Sequence, residues 1–170
     1  MPAFATQRQV PYLPADMFAL VADIERYPEF VPLCEELRIR KRDIDEQERE
    51  ILVADMTCGY KAIRERFTSR VRLDRNNNQI LVEYIDGPFQ YLQNSWSFVA
   101  HQDGCKVVFD IKYEFKSRML GLLVGGLFDK AFRKFAGAFE ARAKEIYGTP
   151  QNKKYKSLQR AVNLKDTASH

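Results

Sequence analysis

The sequence predicts an α+β domain in which an antiparallel sheet of six or seven strands curves around one long C-terminal helix. Apolar residues recur with period 2 from about Leu37 to Phe115 and with period 3.6 after Ser117. Clusters of turn-forming residues separate the period-2 runs. A chain of 170 residues with 45% hydrophobic content is enough for one domain with a sizeable core.

A strand at 3–10 is expected to join the sheet. "LPADMFALVADIERY" then puts Pro14 at a first helical position and Phe18, Val21, Ile24 and Tyr27 on one helical stripe. Pro28 disfavours helical geometry at Tyr27, so this helix should break or kink there.

Strands are expected near 36–44, 48–58, 61–74, 79–86, 91–101 and 104–116. In "IRERFTSRVRL", Ile63, Glu65, Phe67, Ser69, Val71 and Leu73 share one face, opposite Arg64, Arg66, Thr68, Arg70 and Arg72. In "CKVVFDIKYEF" the same alternation sets Cys105, Val107, Phe109, Ile111, Tyr113 and Phe115 together, and "LQNSWSFVA" groups Leu92, Asn94, Trp96, Phe98 and Ala100. "DRNNNQ", "DGPF" and "HQDGC" supply the turns of a meander.

After Ser117, a fitting N-cap, Leu120, Val124, Phe128, Phe132, Phe135, Phe139 and Ile146 form a stripe that Gly148 ends. A curved sheet around a single long helix cannot fill its interior evenly, which makes an internal cavity the expectation. Beyond Gly148, residues 149–170 read as a basic tail, either disordered or a short helix near "KSLQRAVNL". The tail carries Lys153, Lys154, Lys156, Arg160 and Lys165 against Asp166 alone, which accounts for the whole net charge of +4 and leaves the domain, 1–148, balanced.

Several function classes are excluded. The uncharged run "MLGLLVGGLF" is far shorter than the ~20 apolar residues that span a bilayer. The N-terminus lacks the features of a secretory signal, so a cytoplasmic protein, at most peripheral to a membrane, is expected. Cys34, Cys58 and Cys105 are an odd number at wide spacings and read as reduced, buried thiols. His101 and His170 are the only histidines, and no metal, triad or phosphate-loop motif occurs.

Other residues leave two readings open. Glu65 and Ser69 interrupt an apolar face, implying a wet cavity with a partner or a bond at the sheet rim. Trp96 is either a platform for a planar or isoprenoid ligand or ordinary core. Gly121, Gly125 and Gly126 lower helix stability, implying close packing or a lip that bends; Gly121 and Gly125 also form a GxxxG pair of the kind that lets helices of two copies approach. The outer arginines are either a solvated, anti-aggregation face or an anion-binding one.

"MFALVADIERYPEFVPLC", "ERFTSRV", "DGPFQYLQNSWSF", "VVFDIKYEFKS" and "AFEARAKEIYG", in that order, resemble the coenzyme Q-binding proteins of the START-like polyketide cyclase/dehydrase superfamily, and also the RatA-type ribosome association toxins. The resemblance covers nearly all of residues 3–148. It implies a helix-grip START/Bet v 1-like fold, with a seven-stranded antiparallel sheet wrapped around the C-terminal helix and two short helices. It further implies non-enzymatic binding and delivery of ubiquinone or a related isoprenoid lipid in support of respiration, with no cofactor other than that ligand.

Combining strand parity with the family motifs gives the expected lining as Phe30, Glu65, Phe67, Ser69, Leu92, Asn94, Trp96, Leu123, Phe128 and Phe132. Glu65, Ser69 and Asn94 are the groups to orient a quinone head. The alternative is a RatA-like module that binds the large ribosomal subunit through Arg64, Arg66, Arg70 and the lysine tail and blocks subunit association. A third reading is a polyketide cyclase or dehydratase using Glu65, Tyr84 or Tyr113 as acid or base.

Overall fold

A computed structural model of the chain describes residues 2–149. The basic tail expected from 150 onward lies outside the described residues. The elements are β1 (Ala3–Val10), α1 (Pro14–Ala22), a 3₁₀ turn (Ile24–Glu29), β2 (Cys34–Ile44), β3 (Glu50–Tyr60), β4 (Ile63–Asp74), β5 (Gln79–Asp86), β6 (Phe89–His101), β7 (Gly104–Phe115) and α2 (Arg118–Tyr147).

The strands form one sheet in the order β1-β7-β6-β5-β4-β3-β2, with every neighbouring pair antiparallel. Sequential hairpins account for the whole order except β1, which returns to cover the edge of β7. Register shifts in β2, at Thr68/Ser69 and at Phe89/Tyr91 add local twist, which bends the sheet around α2. This is the helix-grip arrangement that the resemblance implied.

The inner face alternates as the period-2 pattern predicts. Ser69, Val71 and Leu73 of β4, Leu92, Trp96 and Phe98 of β6, and Cys105 through Tyr113 at every second position of β7 are buried. Against them α2 lays Val124, Phe128, Ala131, Phe132, Ala136, Phe139 and Ala143. Ser117 caps α2 by accepting from Leu120 N–H at 3.1 Å, and Gly148 ends it with φ 75°.

Three local expectations are corrected. The first helix stops at Asp23 (φ −81°, ψ 67°), earlier than Tyr27, and the chain continues as a 3₁₀ turn with Pro28 inside it. Ile146 is exposed, because Ala143 and Tyr147, four and eight residues beyond Phe139, take the inward positions in the last turn. Gly121, Gly125 and Gly126 do not serve close packing: a Cβ on Gly125 or Gly126 would meet nothing within 4 Å, and one on Gly121 would make ordinary contact with Phe115. Gly87 is different, since its φ of 140° and its approach to Phe67 admit no side chain.

Candidate functional site

Between α2 and the concave face of β2–β7 lies a cavity of about 80 Å³. At ~10–15 Å³ for each water centre, that is space for about six waters. Its walls are apolar almost throughout. Leu37, Ala54 and Met56 come from the first hairpin, Phe67 and Val71 from β4, Leu92 and Trp96 from β6, and Phe128, Phe132, Phe135 and Phe139 from α2. The alternating strand pattern and the helical stripe are what bring these residues together.

The aromatic rings brace one another at the helix end of the cavity. Trp96 meets Phe139 edge-on at 5.0 Å and Phe109 at 4.6 Å, while Phe132 meets Tyr113 at 5.0 Å and Phe135 at 5.3 Å. Offset and edge-to-face pairs of this kind add stability beyond the area they bury.

Few polar groups reach the cavity, and their partners decide what each can do. Asn94 donates its amide to the Asp110 carbonyl at 2.9 Å and accepts from the Trp96 indole at 3.0 Å, so it fixes the indole. Tyr27 donates to the Val21 carbonyl, and its burial, with smaller effects from Cys34 and Asp23, raises its phenol pKa. Burial, reinforced by Cys34 and Glu35, pushes the Cys58 thiol from 9.0 up to about 12.

Ser69 is the exception. It is 5% exposed, and its hydroxyl has no partner among the described residues. A buried hydroxyl without a hydrogen bond costs roughly 1–3 kcal/mol, so an acceptor or donor brought beside it would be favoured.

Seven expected residues line the cavity: Phe67, Ser69, Leu92, Asn94, Trp96, Phe128 and Phe132. Three do not. Phe30 packs outside it, edge-to-face with Phe139 at 5.0 Å and with Arg142 over its ring. Leu123 is 69% exposed on the outer side of α2. Glu65 lies in a narrow cleft with Tyr60, Ile63, Val124 and Leu127. That cleft shares Leu33, Cys58 and Phe128 with the cavity as lining residues, so the two are neighbours.

Sequence reasoning missed the lining from Leu37, Ala54, Met56, Val82 and Phe135. The period-2 reading of β2 and β3 held the signal, although no polar residue drew attention to it.

Half of the outer arginines of β4 are neutralised, and Arg40 of β2 is paired as well. Arg64 pairs with Glu35 at 2.9 Å, Arg70 with Glu83 at 2.9 Å and Arg40 with Asp55 at 3.7 Å. Arg66 and Arg72 make no ion pair among the described residues. No helix among the described residues is long and apolar enough to cross a membrane.

A sheet gripping one helix over an apolar cavity is the START-like fold. The chain belongs to the polyketide cyclase / dehydrase and lipid transport family, whose model matches residues 10–140. A ribosome association toxin RatA of Rickettsia prowazekii is 36% identical over 149 residues, covering 86% of this chain and 99% of that protein. Coenzyme Q-binding protein COQ10 homolog B of Xenopus laevis is 29% identical over 78% of this chain and 54% of its own length. An 18 kDa protein from Caulobacter crescentus, solved in solution, is 34% identical over 88% of this chain and all of its own, with a TM-score of 0.72.

Proposed function

We propose that the chain binds an isoprenoid quinone such as ubiquinone, or a related isoprenoid lipid, in the cavity and carries it unreacted. The observation behind this reading is the unpartnered Ser69 hydroxyl in an otherwise apolar chamber. A quinone carbonyl would accept its hydrogen bond, while the isoprenoid chain gains roughly 25 cal/mol for each Å² removed from water. The cavity must widen to admit such a ligand, and Met56 and the phenylalanines of α2 are the side chains able to yield. Among the described residues the lining includes no carboxylate, histidine or lysine, which favours carriage over the acid–base chemistry of a cyclase.

Trp96 is the only tryptophan and lines the cavity, and quinones quench indole emission on contact. Titration with a short-chain ubiquinone should give saturable quenching, and Ser69→Ala should weaken binding by about tenfold, the loss expected for one buried hydrogen bond. Absence of saturable quenching would remove the quinone reading.

A second reading, association with the large ribosomal subunit, is favoured by the RatA relative, which matches along 99% of its length. Arg66, Arg72 and the lysine tail are its natural contacts. It predicts co-sedimentation with the large subunit that weakens as salt rises and as these cations are neutralised. Binding indifferent to both would count against it.

A further inference from the structure

Among the described residues, nine large apolar side chains are exposed, and six of them lie at one end of the molecule: Tyr60, Ile63, Ile85, Met119, Leu122 and Leu123. The topology gathers them. The β3–β4 and β5–β6 turns and the start of α2 all fall at this end; Lys116 N–H donates to the Pro88 carbonyl at 2.9 Å, and Tyr60 and Ile63 share the cleft with Val124 and Leu127. Met119, Leu122 and Leu123 are 72%, 82% and 69% exposed on the first turns of α2. Exposed apolar side chains gathered at one end of a fold point to an interaction site.

The charge around the patch selects the partner. From Lys116 to Phe128 the chain carries Lys116 and Arg118 and no carboxylate, and the positive end of the α2 dipole lies in the same place. Lys61 and Arg66 flank the neighbouring hairpin, and none of these four cations forms an ion pair among the described residues; the carboxylates at this end are Glu65 in the cleft, Asp86 beside Ile85 and Glu114 on β7, so the cations outnumber them by one. Aliphatic side chains inside a cationic border match an anionic bilayer, where phosphates meet the border and acyl chains the centre. A nucleic acid would satisfy the border and leave the aliphatic centre in water.

We infer that this end of the molecule docks on the surface of an anionic phospholipid bilayer, with Met119, Leu122 and Leu123 entering the acyl boundary and Lys61, Arg66, Lys116 and Arg118 lying among the phosphates. The inference rests on the carrier reading and extends it by setting the cavity's neighbouring cleft beside the phase that dissolves its ligand.

The test is co-sedimentation of the full chain with quinone-free vesicles of phosphatidylcholine, alone or mixed with phosphatidylglycerol. Binding is expected to the anionic vesicles, falling about fivefold for each cation replaced by glutamine, the equivalent of ~1 kcal/mol per basic residue. Leu122→Ser with Leu123→Ser should lower binding more than tenfold while leaving Trp96 emission unchanged. Leu122→Trp should add emission that bromines on the acyl chains quench.

Equal failure on both vesicles overturns the inference, as does binding indifferent to Leu122 and Leu123, or a dimer by light scattering that the double serine variant dissociates. The quench titration in vesicle-free solution reads the cavity separately, so either reading can fail alone.

Discussion

At one end of the sheet the turns are closed by carboxylates. Asp45 accepts from the Gln47 and Arg49 amides and from the Arg49 guanidinium, and Asp74 accepts from the Asn77 amide and side chain. At the other end the β3–β4 and β5–β6 turns carry Tyr60, Ile63 and Ile85 beside Met119, Leu122 and Leu123, all exposed. The same hairpin plan thus ends once in turns closed by carboxylates, with Ile44 and Val99 exposed among them, and once in a larger gathering of exposed apolar side chains. On the proposed carrier reading the first end holds the sheet's register and the second is the one that opens. A molecule that admits an apolar ligand needs one end that stays closed.

The largest expected effect tests what holds the opening end together. Phe89 is fully buried and meets the rings of Phe67, Tyr84, Tyr113, Phe115 and Phe128. Phe89→Ala should lower the unfolding free energy by about 3–5 kcal/mol in urea titrations.

Next come the thiols, which lie at both ends. Burial holds Cys34, Cys58 and Cys105 up at about 12 from an ordinary 9.0. Because these folded-state values are raised, the stability they contribute is fully present below pH 9 and is lost as pH climbs toward 12. At neutral pH a thiol reagent should label Cys58, beside the cleft, through local opening, and Cys105, beside the β6–β7 turn, only on global unfolding. Equal labelling rates would erase the distinction between the ends.

Smaller effects sharpen it. Gly125→Ala and Gly126→Ala fill open space in a helix interior, so each should stabilise by about 1 kcal/mol, and both should slow ligand exchange if the start of α2 bends to admit ligand. Ser69→Ala removes an unpartnered buried hydroxyl and should raise unliganded stability by about 1 kcal/mol in thermal unfolding, while lowering quinone affinity.

Much of this was legible from residue periodicity. The bounds of β1 and β5, the Ser117 cap and the Gly148 stop follow from local rules that tertiary packing did not override. Strand parity also placed Phe67, Ser69, Leu92, Asn94 and Trp96 on the inner face. Parity fixes a face and leaves position along the groove undetermined, which is why Glu65, two residues from Phe67, falls at the rim and Leu123, next to buried Val124, points to solvent. Nor does a sequence show hydrogen-bond partners. Asn94 looked like a group free to orient a ligand until Trp96 and Asp110 were found to occupy it, and Ser69 emerged as the one left unpaired.

The most direct test of the cavity's role is lipid extraction and native mass spectrometry of the chain purified from its own host cells. An isoprenoid quinone or related isoprenoid lipid bound one to one, and depleted by Ser69→Ala, is the predicted result. Protein that emerges free of such lipids and takes none up when they are supplied would contradict it.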